Sequence, residues 1–304
     1  MKQYLLISNT TGYKINNDIL DYISTKFKDI VFQKKNFREL SPKKAYELEL
    51  QNKNINLELQ KYTVNLLSKN NIDCNFIKVT KDRKKKLLLA DMDSTIIKEE
   101  SLDELARQIG KEKEVIRITN EAMNGQIDFK KALLKRVAIL KGQPAEILEK
   151  LKKGISINDG AIELIKTMKH NKSITVLVSG GFTFLTEYLK TLLGFDYTHA
   201  NSLEISYNNL NKMCLTGRVI DPILDREAKA FYLDQYVSKN KLNYEDTICV
   251  GDGANDIEMI KKAGLGVSYN GKIALEKEAD IHFKNTNLLG LLYAQGYSDK
   301  QIIS

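Results

Sequence analysis

Residues 87–100 read LLLADMDSTIIKEE. Four apolar residues, Leu87 to Ala90, run straight into two aspartates one residue apart, Asp91 and Asp93. A short apolar run bounded by polar residues fits a strand buried on both faces, as in a parallel sheet. Ligands of such sheets bind beyond the carboxyl ends of the strands. Both aspartates therefore fall where a reaction would take place.

Three more runs share this form: ITVLVS (174–179), DTICVG (246–251) and GLGVSY (264–269). Each is bounded by Gly, Asp or Ser, and long helical segments separate them, which predicts an α/β fold with a Rossmann-like parallel sheet. Roughly 80 residues lie between the first and second strands, including LDELARQIG, KEKEVIRITNEAMNG, FKKALLKRVAILKG and AEILEKLKKG. That is too long for one crossover helix, so an inserted helical cap is expected at about 98–170. Residues 1–80 follow another rhythm: YLLIS, NNDILDYISTKF, IVFQKK, KAYELEL, NLELQKYTVNLLSKN and CNFIKV. Strand, helix, strand, strand, helix, strand is the split βαβ order of a small α+β ferredoxin-like module. KAYELEL reads equally as the start of a helix. The basic stretch KVTKDRKKK (78–86) is the expected linker, giving domains at 1–80 and 81–304.

At 304 residues the chain has room for two domains. With 42% hydrophobic and 28% charged residues it is of the ordinary globular class, and no apolar run approaches the roughly 20 residues of a membrane span. The opening MKQYLLISNTTGYK has too short an apolar piece for a signal peptide. Cys74, Cys214 and Cys249 lack metal-ligand spacing, so a reducing, cytoplasmic setting is expected. The net charge of +8 reads as solvated lysines rather than a nucleic-acid surface, because no aromatic-basic motif accompanies it.

The strand ends carry Asp91-Met92-Asp93-Ser94-Thr95, Ser179-Gly180-Gly181 and Gly251-Asp252-Gly253-Ala254-Asn255-Asp256. Folded as a sheet, they bring together four carboxylates: Asp91, Asp93, Asp252 and Asp256. Clustered carboxylates repel and need a cation. Hard oxygen donors select Mg²⁺ over zinc. Taken singly, each motif also fits a turn or a helix cap.

The set of stretches DMDSTIIKEESLDELA, EAMNGQIDF, LLKRVAILKG, VSGGFTFLTEYL, REAKAFYL and VGDGANDIEMIKKAGLGVSY resembles the haloacid dehalogenase superfamily, and within it the phosphoserine phosphatase branch. The resemblance spans roughly residues 86–295. It implies a Mg²⁺-dependent phosphatase that hydrolyses O-phospho-L-serine, the last step of serine biosynthesis. Asp91 would be the nucleophile and Asp93 the general acid and base. Mg²⁺ would be held by Asp91, the Asp93 carbonyl and Asp252. Ser179 and Gly180 would bind phosphate oxygens, and Lys229 would balance their charge. Asp256 and Asn255 would support the metal and phosphate site from behind. In the cap, Glu100 would take the substrate ammonium and Arg136 its carboxylate, with Met123 and Phe129 walling the pocket. Glu99 is a rival for the part of Glu100. The first 80 residues resemble the ACT-type modules of some relatives, for dimerisation, stability or amino-acid sensing; a homodimer is a possible assembly. Two alternatives stand beside this: transfer of the phosphoryl group to an acceptor such as homoserine, and a basic nucleic-acid-binding protein with a decayed core. The intact Asp91, Asp93, Ser179, Lys229 and Asp252 argue against decay.

Overall fold

The structure is a computed structural model that describes residues 2–12, 14–27, 37–50, 57–123 and 126–304, the side chains of Ala122 and Met123 excepted. Its first part comprises β1 (Lys2–Ser8), α1 (Asn17–Lys26), β2 (Arg38–Ser41), β3 (Ala45–Leu50), α2 (Leu57–Ser68) and β4 (Asp73–Val79). The strands form an antiparallel sheet in the order β2-β3-β1-β4. KAYELEL thus runs as a strand, not as the start of a helix. The expected strand IVFQKK lies outside the described residues. On its side away from β1, β3 pairs with RELS, turned back through Lys43 at φ 61°. Strand alternation splits β1 between two cores. Leu5 and Ile7 join Ile23, Phe27 and Leu67 beneath α1 and α2, whereas Leu6 joins Ile77, Tyr293 and Tyr297 on the other face.

The rest of the chain runs β5 (Leu87–Ala90), α3 (Ser101–Gln108), α4 (Glu112–Met123), α5 (Phe129–Ala138), α6 (Glu146–Gly154), α7 (Ala161–His170), β6 (Ile174–Phe182), α8 (Thr183–Leu193), β7 (Tyr197–Tyr207), β8 (Met213–Ile220), α9 (Arg226–Lys239), β9 (Thr247–Gly251), α10 (Ile257–Lys262), β10 (Gly266–Tyr269), α11 (Ile273–Glu276), β11 (Ile281–Phe283) and α12 (Gly290–Ala294). The sheet order is β11-β10-β9-β5-β6-β7-β8, parallel throughout except for β8. β5 lies between β9 and β6, at the point where the strand order reverses, so its carboxyl end opens onto the crevice. All four β5 residues are buried, Leu88 and Ala90 in one core and Leu87 and Leu89 in the other.

Helices α3 to α6 follow β5, and α7 brings the chain back to pack against β6. The two chain passages beneath α3 and α6 run side by side as a short ribbon. Ile97 bridges Ile157, Lys98 N donates to Ser156 O at 2.9 Å, and Asn158 N donates to Ile96 O at 2.9 Å. The β7–β8 hairpin, not anticipated from the sequence, reaches up to this helical layer. Gly142 N donates to Leu215 O at 2.8 Å and Ala145 N to Met213 O at 2.9 Å.

The antiparallel sheet docks on the far edge of the larger one. Asn75 Nδ2 donates to His282 O, and His282 N donates to Asn75 Oδ1, both at 2.9 Å. The Asp73 carboxylate accepts the backbone N–H groups of Lys284 and Asn285.

Candidate active site

Asp91 is the first residue beyond β5 and is 3% exposed. Its N–H continues the ladder to Val250 O at 3.0 Å, which fixes the side chain at the sheet edge. Asp91 Oδ1 accepts Met92 N at 2.8 Å and lies 2.7 Å from Lys229 Nζ. Lys229 comes from the second turn of α9, whose start is capped by Asp225. Its ammonium is buried and also lies 2.6 Å from Asp256 Oδ1. Burial alone would lower the Lys229 pKa; the Asp256 and Asp91 carboxylates outweigh it and hold the ammonium charged.

Both oxygens of Asp256 are engaged: Oδ1 by Lys229, Oδ2 by the N–H groups of Asp252 and Gly253 at 3.1 and 3.0 Å. Residue 251 must lack a side chain, because a Cβ there would run into the Asp256 carboxyl. Asp252 is the carboxylate of the trio with little protein company, its nearest cation being Lys272 at 3.9 Å. Burial, then Asp256 and Glu100, push its pKa up to about 7. Burial, then Asp256, raise the Asp91 carboxyl as well, against the pull of Lys229. Carboxylate oxygens of Asp91, Asp252 and Asp256 all lie within 4.8 Å of one another. The donors are oxygens alone, and the excess negative charge sits on Asp91 and Asp252. Those features fit a hard divalent cation.

Asp93 lies two residues beyond Asp91 and is held by the start of α3. Ser101, the first residue of α3, donates its N–H to Asp93 Oδ1 at 3.0 Å and its hydroxyl to Oδ2 at 3.2 Å. Burial and the neighbouring Glu100 nevertheless push the Asp93 carboxyl up to about 7. Just after Asp93 the chain turns through Ser94 at φ 55°. From β6, Ser179 is fully buried, and its Oγ accepts Gly181 N at 2.8 Å, leaving the hydroxyl hydrogen free for another acceptor. A Cβ at Gly181 would lie 2.8 Å from Asp93 Oδ2 and 3.0 Å from Ser179 Oγ, so the two strand ends close on each other through a glycine. Asn255 is half-buried, with its carboxamide folded over Gly253.

Glu100 is exposed at the mouth, where Ser94 Oγ donates to its Oε1 at 2.8 Å. Glu99 turns away: its Oε2 accepts Ser156 N at 2.9 Å in the ribbon beneath the helical layer. Phe129 of α5 reaches down to Gly180. Arg136, also on α5, donates to Ala132 O at 3.3 Å and to Thr119 Oγ1 at 3.5 Å. Among the described residues no carboxylate ion-pairs with it, although Asp103, Glu100 and Asp93 are close enough to oppose the lowering of its pKa by burial. Met123 ends α4, and its side chain lies outside the described residues.

Two asparagines in this region escaped the sequence reading. Asn158 Nδ2 donates to Thr95 O at 2.8 Å and Ile97 O at 3.1 Å, holding the turn after Asp93. Asn201 on β7 binds the Gly180 carbonyl. Neither belongs to a local motif; their partners are more than twenty residues away.

The buried acid–lysine cluster at the reversal point of a parallel sheet, under an inserted helical layer, defines a class. The chain belongs to the haloacid dehalogenase-like hydrolase family, whose model matches residues 88–261. Within that family it is similar to phosphoserine phosphatases. It is 42% identical over 212 residues to the phosphoserine phosphatase of Archaeoglobus fulgidus, covering 70% of this chain and 60% of that protein. It is 42% identical over 211 residues to that of Methanocaldococcus jannaschii, covering 69% of this chain and 98% of the relative. A solved haloacid-dehalogenase-family hydrolase of Salmonella enterica superposes over 96% of this chain and 98% of its own, with a TM-score of 0.83 and 25% identity.

Proposed function

We infer that the protein hydrolyses O-phospho-L-serine to L-serine and phosphate by way of an aspartyl-phosphate on Asp91. The observation that carries this reading is one crevice holding a buried Asp91–Lys229 pair, a separate carboxyl on Asp93, and a cap offering one anion, Glu100, and one cation, Arg136, that has no carboxylate partner among the described residues. A phosphorylated amino acid presents the complementary ammonium and carboxylate. The guanidinium fork of Arg136 suits bidentate pairing with the latter.

In this reading Ser179 Oγ and the Gly180 N–H hold phosphate oxygens while Lys229 balances their charge. The Asp91 carboxylate attacks phosphorus, and the bond to the serine oxygen breaks. Asp93 gives that oxygen its proton; with a pKa near 7 it carries one to give at neutral pH. Asp93 then takes a proton from the water that splits the aspartyl-phosphate, and phosphate leaves. Asp91, Asp252 and the Asp93 carbonyl would hold Mg²⁺, which when bound offsets the repulsion between carboxylate and phosphate. Asp256, already saturated, supports this loop and Lys229 rather than adding a ligand, with Asn255 beside it. Phe129 closes the pocket from above, and Met123 would add to the same wall.

The division into a unit of residues 1–80 and a phosphatase unit of 81–304 accords with the two sheets. We take the cap as residues 98 to about 157, since α7 packs on β6. The first sheet has the strand order of ferredoxin-like folds, which supports an ACT-like module and leaves homodimerisation as its simplest use. Three free cysteines suit a reducing cytoplasm.

The test is phosphate release from O-phospho-L-serine with Mg²⁺ and with chelator, against sugar and nucleotide phosphates, with and without L-homoserine. Mg²⁺-dependent release that prefers phosphoserine and ignores homoserine is expected. Preference for another phosphate would overturn the cap reading, and phosphohomoserine formation would favour the transferase.

A further inference from the structure

We propose that Asn201 is a positioning residue that locks the phosphate-binding turn in register with the lysine that must balance the same phosphate. The proposal rests on the reading of Ser179 and Gly180 as that turn. Asn201 is 1% exposed, and its carboxamide makes three hydrogen bonds. Nδ2 donates to Gly180 O at 2.9 Å and to Leu224 O at 3.2 Å, and Oδ1 accepts Leu224 N at 2.7 Å. Only one orientation of the amide satisfies two carbonyls and one N–H, so its placement is unambiguous.

The backbone explains why a side chain is needed there. β6 and β7 pair up to Val178–His199 and resume at Phe182–Asn201, so Ser179, Gly180 and Gly181 leave the ladder as a bulge opposite Ala200 alone. Bulged residues lose their ladder partners. The peptide between Gly180 and Gly181 is pinned at both ends by side chains instead: its carbonyl by Asn201 and its N–H by Ser179 Oγ. The other arm of Asn201 grips Leu224. Leu224 immediately precedes Asp225, which caps α9, and α9 carries Lys229. One buried carboxamide therefore ties the root of the Lys229 helix to the turn of Ser179 and Gly180. Both groups must touch one phosphate at once, and a misplacement of about 1 Å can cost on the order of 10²-fold in rate.

Asn201→Asp keeps the volume but turns the Nδ2 donor into an acceptor facing two carbonyls. The experiment compares wild type, Asn201→Asp, Asn201→Ser and Ser179→Ala for kcat and KM on O-phospho-L-serine, for the inhibition constant of inorganic phosphate, and for Tm. Expected is a rise of about tenfold in the phosphate constant for Asn201→Asp, with kcat down by on the order of 10²-fold. Asn201→Ser, which retains one donor, should move the same way by less, and it serves if Asn201→Asp does not fold. A mere packing role lowers Tm while leaving phosphate inhibition and KM unchanged, and that result overturns the proposal. If Ser179→Ala weakens phosphate binding while folded Asn201 variants do not, the positioning role alone fails. If Ser179→Ala also leaves phosphate binding intact, the turn itself has been misread.

Discussion

The ring of Phe129 lies over Gly180: a Cβ added to that glycine would meet Phe129 Cζ at 3.3 Å. Phe129 starts the cap helix α5 and Gly180 belongs to the bulge near the end of β6, so the helical layer stands closed over the sheet edge. Gly180→Ala should push the ring aside by a few tenths of an ångström and cost about threefold to tenfold in kcat/KM. Gly181→Ala, whose Cβ would sit 2.8 Å from Asp93 Oδ2, should cost on the order of 10²-fold or more. Steady-state kinetics on O-phospho-L-serine decides it; equal losses would mean that the cap does not close as described.

Lys229 is the hub of three buried charges, and its removal leaves Asp91 and Asp256 facing each other. Lys229→Met should abolish turnover and destabilise the metal-free fold by about 3–5 kcal/mol. Urea unfolding in chelator checks the second part, and Mg²⁺ should restore stability far more than activity. A Lys229→Met protein as stable as wild type without metal would contradict the ion-pair geometry.

The raised carboxyls make the metal-free protein sensitive to pH in a definite direction. Asp93 and Asp252 sit near 7, and Asp91 is raised too. Unfolded, each would titrate near 4. Between about pH 4 and 7 Asp93 and Asp252 thus hold more protons in the folded state than in the unfolded one, so they lower stability as pH rises through that window, and the raised Asp91 acts in the same direction. A bound cation takes over from the protons. Mg²⁺ should raise Tm more at pH 8 than at pH 5, measured by thermal melts against chelator, and an equal rise at both would sink the assignment.

Glu100 and Arg136 should affect recognition of the amino acid rather than phosphoryl transfer. Glu100→Gln and Arg136→Lys are each expected to raise KM for O-phospho-L-serine by about tenfold or more. Turnover of p-nitrophenyl phosphate, which has neither ammonium nor carboxylate, should change little. Glu99→Gln should leave KM near normal, since Glu99 is occupied with Ser156 N. The reverse ranking of the two glutamates would reassign the pocket.

Asn158 offers a stability counterpart. Its Nδ2 satisfies Thr95 O and Ile97 O inside the protein. Asn158→Ala leaves two buried carbonyls unpaired and should cost about 1–3 kcal/mol, read from denaturant unfolding.

The sequence announced what local chemistry announces. Residues 87–90, 175–179, 247–251 and 266–269 are buried, so they read as apolar runs, and all four lie in strands. The β7–β8 hairpin was hidden because its residues are half-exposed and mixed in polarity, without the turn dipeptides that mark tight hairpins. Asn201 and Asn158 were hidden for a related reason. A buried asparagine looks like any surface asparagine until its distant partners are known. Spacing already favoured Glu100 over its rival Glu99, and the contact of Glu99 with Ser156 across the ribbon supports the same choice.

The docking of Asn75 on His282 has a consequence for the chain outside catalysis. β11 is the last strand of its sheet, and a bare last strand is a template on which other molecules can add strands. The carboxamide of Asn75 imitates a neighbouring strand by binding both the N–H and the C=O of His282, while Asp73 occupies the next N–H groups. The first sheet thus covers that edge against strand addition, and a shortened chain beginning near Leu87 would carry an open edge prone to aggregate.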